Sequence, residues 1–198
     1  MLKPKKINKF IAAIIILFLC VTAFSSCNSD PDKGRIPFFP DSFLYQFMLK
    51  PEWQVINTSD NINTLAIVHN EAGVFLITEC YKKTDVADIN VTDVDSFIKF
   101  YTTFESIKEI YENERNTVDE AVPLTAKEIK NTPIISGKRQ KIFLITDETL
   151  TSPNHTSEFI YLETADYFFV VSYGMPNDNY TNNAKNAVND AIFHIQIN

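Results

Sequence analysis

The sequence predicts an α+β domain in which an antiparallel β-sheet is flanked by two main amphipathic helices. Three observations indicate this fold class. Short apolar and β-branched segments recur between turn residues, and two longer segments carry apolar residues at helical spacing. The predicted strands come in groups separated by a helix, which favours an α+β sandwich over a doubly wound sheet.

The first group of strands precedes the first helix. Its predicted members cover residues 42–48, 54–57, 64–69 and 73–81. Pro51-Glu52-Trp53 makes a corner between the first two. Asn70-Glu71-Ala72 alone separates the last two, so we expect these to form a hairpin.

The clearest predicted helix covers residues 93–113. Apolar side chains recur in it at three- and four-residue steps: Val94, Phe97, Ile98, Tyr101, Phe104, Ile107 and Tyr111. Thr92 with Asp95 matches a capping box at its start. Because one face of this helix is aromatic, it is expected to pack against a broad apolar surface, most simply a sheet.

The second group of strands follows a polar connection. Its predicted members cover residues 141–146, 157–164 and 167–173. Thr164-Ala165-Asp166 is short enough to be a turn, which makes the last two strands antiparallel neighbours. A second helix is predicted over residues 179–192, and the alternating tail 193–197 predicts a closing edge strand.

This order of elements resembles the PsbP-like fold. The residues that carry the resemblance are Pro51-Glu52-Trp53, Gly73-Val74, Ile135-Ser136-Gly137, Tyr161-Leu162-Glu163 with Asp166-Tyr167, and Phe193-His194-Ile195. The group includes the extrinsic PsbP protein of photosystem II, Mog-type Ran-binding proteins and bacterial DcrB-like lipoproteins. The resemblance covers about residues 42–197 and implies a module that binds other proteins or membrane complexes without performing chemistry.

The N-terminus has the pattern of a bacterial export signal. Four lysines precede an uncharged apolar run over residues 10–24, and Ser25-Ser26-Cys27 follows. The run would extend about 23 Å as a helix, less than the hydrocarbon core of about 30 Å, so we expect it to be removed. Ala23-Phe24-Ser25-Ser26-Cys27 resembles a lipobox, which implies a lipidated Cys27, although Phe24 departs from the usual Leu, Val or Ile. The alternative is ordinary cleavage at Ala23-Phe24-Ser25, which would release a soluble secreted protein.

These patterns divide the chain into three parts. Residues 1–26 are the predicted signal peptide, residues 27–41 the lipidated Cys27 and a spacer that contains three prolines, and residues 42–198 the PsbP-like domain. The protein is therefore expected in the cell envelope. Its lipid would hold it to a membrane, and its domain would lie outside the cytoplasm.

The charge of the mature chain limits its partners. Without the four lysines of the signal peptide, 14 basic and 25 acidic side chains leave a net charge of −11. This charge excludes nucleic acid as a partner, because phosphate binding depends on Lys and Arg. It also predicts that the domain stands off from an anionic bilayer surface.

The sequence contains no motif for cofactor or nucleotide chemistry. The glycines are too far apart for a phosphate-binding loop: Gly34, Gly73, Gly137 and Gly174. No Gly-x-Ser-x-Gly nucleophile motif occurs. Cys80, the free thiol left once Cys27 carries lipid, has Glu79 beside it and is expected to be a buried strand residue. We predict no cofactor and no enzymatic activity.

Metal-binding side chains are dispersed. The histidines lie in three separate predicted elements: His69, His155 and His194. A group of carboxylates near the first helix lacks the spacing of an EF-hand: Asp85, Asp88, Asp93 and Asp95. We predict no metal site. A solvated loop with a helix cap is expected for the carboxylates, and a loose surface calcium contact is the alternative. Glu158 and Glu163 are separated by five positions in one strand, so they should point to opposite sheet faces.

The density of aromatic residues is the feature that bears most on function. The last predicted hairpin and the N-terminal spacer are both aromatic: Tyr161, Tyr167, Phe168, Phe169 and Tyr173, with Phe38 and Phe39. Phe168 and Phe169 are adjacent, so both faces of their strand are apolar. Either helices or a partner or ligand covers these faces.

The sequence thus favours a lipid-anchored envelope protein that docks onto or stabilises another envelope protein. The alternative is a lipoprotein that binds an apolar or small-molecule ligand in an aromatic-lined pocket. A pocket of about 300 Å³ or more between helix and sheet would favour the ligand, whereas a flat apolar surface patch would favour docking. The partner and the oligomeric state are not encoded in a recognisable motif.

Overall fold

The structure is a computed structural model that describes residues 32–57, 63–103, 117–118, 120–125, 127–129, 133–147 and 149–198. Two units are distinguished, Met1–Lys33 and Gly34–Asn198, and the fold described below is that of the second. The predicted signal peptide, Cys27 and the predicted helical residues 104–113 lie outside the described residues.

Two antiparallel sheets form the framework. The strands are β1 (Ile36–Phe38), β2 (Tyr45–Leu49), β3 (Trp53–Asn57), β4 (Leu65–His69), β5 (Val74–Lys82), β6 (Thr117–Val118), β7 (Val122–Pro123), β8 (Ser136–Leu144), β9 (His155–Glu163), β10 (Tyr167–Pro176) and β11 (Ile195–Ile197). The large sheet has the order β3-β4-β5-β10-β9-β8-β6, with β7 also pairing with β8. The small sheet has the order β1-β2-β11.

In the described ranges, three α-helices pack around the large sheet. They are α1 (Lys83–Val86), α2 (Val94–Tyr101) and α3 (Asn182–Phe193), and single 3₁₀ turns cover Ala87–Ile89 and Asn177–Asn179. Among the described residues, no helix is long and apolar enough to cross a membrane. The predicted α+β class, the two hairpins and the closing strand are confirmed.

Both faces of the large sheet are covered by a hydrophobic core. The central strand β10 alternates between them, since Phe168 points to the core under α2 and Phe169 to the core under α3 and the small sheet. Both side chains are fully buried. The ring of Phe97 in α2 stacks on Phe168 with centroids 4.6 Å apart, while Tyr45 of β2 meets Phe169 edge to face at 5.4 Å. The sequence correctly indicated that β10 is apolar on both faces, and helices and a second sheet cover it.

The helix cap differs from the predicted one. Asp93, not Thr92, is the N-cap of α2, and its side chain accepts a hydrogen bond from the Ser96 backbone N–H at 2.8 Å. Ser96 Oγ accepts in return from the Asp93 N–H at 3.0 Å. The predicted box of Thr92 and Asp95 was wrong by one residue, because Ser96 replaces the acidic side chain that such boxes usually contain.

Strand β1 was not predicted, because it lies within the proline-containing spacer. Ile36–Phe38 pairs with β2, and Pro37 is opposite Met48. Since β1 is at the edge of the small sheet, the missing N–H of Pro37 costs no hydrogen bond within the sheet. The segment from residue 34 is therefore part of the folded unit, which changes the view of residues 27–41 as a plain spacer.

Strand β8 begins five residues earlier than predicted. Its first half is polar and half-buried, so the pattern of hydrophobic residues did not predict it as a strand. A Cβ at Gly137 would lie 2.8 Å from Ile129 Cδ1 and 2.9 Å from Leu124 Cδ1, so both side chains would have to shift to admit one. The segment before β8 thus packs closely onto the sheet.

Candidate functional site

The aromatic residues of the last hairpin are part of the closed core. Tyr161, Phe168 and Phe169 are fully buried, and Tyr173 is nearly so. Tyr161 contacts Phe97, Tyr101 and Phe159 with ring centroids 6.0–6.3 Å apart. Such edge-to-face and stacked contacts are the usual packing of a core. Among the described residues, these rings therefore contact one another, and Tyr167 of the same hairpin is half-buried against the core under α3.

Cys80 is a structural residue, as the sequence indicated. It lies in β5, is 6% exposed and packs in the core under α3. Burial raises the pKa of its thiol to about 12. Because the thiolate is the nucleophile, a thiol with this pKa is unreactive at neutral pH.

The three histidines have separate structural contacts. His69 Nδ1 accepts a hydrogen bond from the Ala72 N–H at 3.2 Å, and its ring packs edge to face on Trp53 at 5.2 Å. His194 follows α3 and is buried, with Nδ1 2.8 Å from the Asp190 carbonyl oxygen. Among the described residues, no group of three or more His, Cys, Asp or Glu side chains is placed to hold a metal ion.

The acidic residues near α2 act as caps and surface charges. Asp93 caps the helix, and its hydrogen bonds from Ser96 lower the pKa of its carboxyl. Asp95 pairs with Lys138 on β8. Asp85 and Asp88 are exposed.

Glu158 is buried on the α3 side of the sheet. It is 1% exposed, and its carboxylate lies 3.3 Å from Lys141 Nζ and 3.4 Å from Arg139 Nε. Tyr180 also donates a hydrogen bond to it. Burial, together with this hydrogen bond, raises the pKa of the Tyr180 hydroxyl to about 12, so it remains a donor. A buried carboxylate is tolerated when cations and donors surround it in this way.

A groove lined by apolar as well as charged side chains lies beside this cluster. It has a volume of about 530 Å³ and includes Arg139 and Lys141 in its lining. Arg139 also donates to Glu128 at 2.5 Å and to Asn189 of α3 at 2.8 Å. Within the described part of the chain these charges are paired with one another, so the cluster joins β8, β9 and α3.

Glu163 points to the opposite face, as its odd separation from Glu158 predicted. Its Oε1 accepts a hydrogen bond from Lys83 Nζ at 2.7 Å. Its Oε2 accepts from the backbone N–H of Val94 at 3.1 Å. One carboxylate thus fastens the starts of both α1 and α2 to the central hairpin, and the two glutamates share no substrate site.

A part of the large sheet lies beyond the α2 core, and we call it the open sheet face; the register also places the hydroxyl-bearing Ser157 and Ser172 on this side of the sheet. This face is defined by Val68, Phe75, Ile77, His155 and Gly174. The register places Val68 and Gly174 on either side of Phe75. Phe75 is 42% exposed, and the other four are half-buried.

His155 and Gly174 are in close contact on this face. A Cβ at Gly174 would lie 2.9 Å from His155 Cε1 and 2.8 Å from Ser157 Oγ. Burial lowers the pKa of His155, so its ring is neutral at pH 7. Its Nδ1 is buried and has no hydrogen-bond partner within the described part of the chain. The open sheet face therefore carries no charge at neutral pH, in a chain of high negative charge. Sequence reasoning missed this face, although the alternation of Phe75 and Ile77 with buried residues was its signal.

Comparison with known proteins gives a likeness of fold. No protein-family model matches the chain, and comparison with curated proteins finds no match. The solution structure of cyanobacterial PsbP (CyanoP) from Synechocystis sp. PCC 6803 is similar, with a TM-score of 0.53 and 9% sequence identity over 83% of this chain and 94% of that one. A crystal structure from Bacteroides thetaiotaomicron VPI-5482 has a TM-score of 0.45 and 9% identity over 83% of this chain. This chain spans 48% of that protein's length.

The likeness to CyanoP supports the predicted architecture. The chain has a mixed α+β arrangement of antiparallel sheets and three helices, which is the PsbP-like fold.

Proposed function

We propose that this chain is a lipid-anchored, non-enzymatic protein of the cell envelope that docks onto another envelope protein through its open sheet face. The observation that carries the proposal is the uncharged surface around Phe75. Protein interfaces are depleted of charged residues at their centre and enriched in aromatic ones. An exposed phenylalanine with the half-buried Val68 and Ile77 beside it has this character.

The structure favours docking over the ligand-binding alternative. A ligand site lined by the hairpin aromatics requires their rings to face a cavity, whereas Tyr161, Phe168 and Phe169 are fully buried among other side chains. Small ligands bind in concave sites, whereas an exposed aromatic side chain such as Phe75 suits a protein partner.

Position-specific crosslinking in living cells tests the docking surface. A photoreactive amino acid replaces Phe75 in one variant and Val122 in another. Val122 is 55% exposed and lies in β7, which pairs with β8, three strands away from β5 in the large sheet. We expect one defined crosslinked partner from residue 75 and none from residue 122.

A charge substitution provides the matched control. The partner identified by crosslinking is expected to co-purify with the wild-type protein and with Val122→Asp but to be lost with Phe75→Asp. Urea unfolding must show that both variants are folded. Equal retention of the partner by the two variants would refute docking at this face.

The lipid anchor is tested separately at Cys27. A thioether-linked diacylglyceryl group at this residue would hold the protein to a membrane because each buried CH₂ contributes about 0.8 kcal/mol. We expect labelled fatty acid to enter the wild-type protein and not Cys27→Ala. Cys80→Ala is the control that keeps the label. Label in the Cys27→Ala protein would refute this anchor, and no label in either protein would favour ordinary cleavage after Ser25.

A further inference from the structure

Three exposed apolar side chains lie near the start of the folded unit. Ile36 is 45% exposed, Phe39 41% and Phe43 58%. The rings of Phe39 and Phe43 are in contact, with centroids 4.6 Å apart. We call these three residues the aromatic foot.

The backbone of Phe43 is held in an unusual conformation. Its φ is 55°, in the left-handed region that bulky residues rarely adopt. The Phe43 N–H donates to the Pro40 carbonyl at 3.0 Å, and the Asn198 side chain donates to the Phe43 carbonyl at 2.7 Å. The chain therefore fixes a strained turn that presents a phenyl ring to solvent, which a core role does not require.

The aromatic foot is attached firmly to the domain. Next to it, the Arg35 guanidinium donates to both carboxylate oxygens of Asp190 in α3, each at 2.9 Å, and to the Met48 carbonyl at 3.2 Å. Ile36 is paired with Leu49 of β2. A contact made by the foot would thus orient the whole domain.

The position of the foot in the chain indicates what covers it. Eight residues lie between Cys27 and Ile36, so nine steps of an extended chain, at most about 3.4 Å each, keep Ile36 within about 31 Å of a lipid at Cys27. Aromatic and aliphatic side chains gain free energy at the boundary between headgroups and acyl chains. The three side chains are uncharged, and the adjacent Arg35 is paired with Asp190. Asp41, between Phe39 and Phe43, is exposed, so the foot can enter the headgroup region while this carboxylate stays in water.

We propose that Ile36, Phe39 and Phe43 insert into the interface of the bilayer that holds the lipid at Cys27, and that this contact fixes the orientation of the domain. The proposal rests on the anchor of the proposed function and reverses the expectation that the domain stands off from the membrane. The small sheet lies on the α3 side of the large sheet, and the open sheet face is on the other side. A membrane contact at the foot therefore leaves the open sheet face available to a protein partner.

Fluorescence quenching in vesicles tests the contact. The mature lipoprotein, purified from cells, is reconstituted into vesicles of phosphatidylethanolamine and phosphatidylglycerol. An environment-sensitive dye is attached at Phe43→Cys, at Phe39→Cys or, as the control, at Phe75→Cys. Cys80 is buried and does not compete for the dye.

We expect a blue-shifted emission and several-fold stronger quenching by acyl-chain nitroxide lipids at residues 43 and 39 than at residue 75. Because two positions in the foot are labelled in separate variants, a folding defect in one variant does not decide the result. Equal quenching at all three positions, or none at residues 43 and 39 in protein that floats with the vesicles, overturns the foot alone. Protein that fails to float, with dye on Cys27, overturns the anchor and the foot that depends on it.

Discussion

Replacing Glu163 with alanine is expected to weaken the packing of the helices α1 and α2 on the sheet. Glu163 is 8% exposed, and its carboxylate accepts hydrogen bonds from Lys83 Nζ and the Val94 N–H. A net contribution of about 1.5–3 kcal/mol is typical of a hydrogen bond to a charged group, and a buried donor left unpaired costs about 1–3 kcal/mol. The side chain of Lys83 is 24% exposed and can regain contact with water. We therefore expect the free energy of unfolding to fall by about 3–4 kcal/mol, in the lower part of the sum of these two ranges.

Two further variants separate charge from hydrogen bonding. Glu163→Gln keeps an acceptor for the Val94 N–H and loses the charge, so its cost should be about 1–2 kcal/mol. Asp95→Ala is the matched control, because Asp95 pairs with Lys138 but its side chain is 63% exposed. Removing an exposed pair of this kind costs less than about 1 kcal/mol.

Urea unfolding followed by the fluorescence of Trp53 measures these differences. Trp53 is the single tryptophan and lies in the core on the opposite side of the sheet, so its signal reports loss of the whole fold. Hydrogen exchange of the Val94 amide should also accelerate in Glu163→Ala and much less in Glu163→Gln. If Glu163→Ala cost no more than Asp95→Ala, the carboxylate would not fasten the helices and the reasoning would be refuted.

Three other residues give independent tests. Trp53→Ala should cost about 3–5 kcal/mol in thermal or urea unfolding because the side chain is 2% exposed; an unchanged midpoint would place it outside the core. Burial raises the pKa of the Cys80 thiol to about 12. Cys80 should therefore resist maleimide in the folded protein and react with it in urea, and rapid labelling of the folded protein would contradict this. Burial raises the pKa of Asp190, but hydrogen bonds and charge from Arg35 outweigh it and lower the pKa below its usual range. The Arg35–Asp190 pair should therefore stabilise the fold above about pH 4 and lose its effect as the pH falls through the lowered value. Arg35→Gln should reduce the difference in unfolding free energy between about pH 7 and about pH 3, and an unchanged difference would exclude the pair as its source.

Local patterns predicted most of the strands. The hairpin of β4 and β5 follows from two apolar segments with a three-residue gap, and the β9–β10 turn at Thr164-Ala165-Asp166 follows in the same way. Both signals lie within a few residues of the bonds they predict. Strand β1 was missed because its partner β2 starts seven residues after β1 ends and because Pro37 argues against a strand. An edge strand tolerates that proline, but edge position is a property of the assembled sheet.

The candidate surfaces depended more strongly on the assembled fold. The spacing of Glu158 and Glu163 correctly predicted opposite faces, but the partners that allow Glu158 to be buried come from β8 and from the segment before α3. Likewise, Phe38 packs against the core whereas Phe39 is 41% exposed. Nothing in the composition of the segment distinguishes these two adjacent rings.

By itself, the sequence determined the fold class, the antiparallel hairpins and the apolar character of both faces of β10, because alternation and turn chemistry act between neighbours in the chain. It also supplied the hypothesis of a lipid at Cys27. Only the tertiary structure decided that the hairpin aromatics are enclosed, that Phe75 lies on an open sheet face and that Phe39 and Phe43 form an exposed foot. The physical reason is that burial depends on segments distant in sequence, such as α2 on Phe168 and the small sheet on Phe169, and these contacts leave no local pattern.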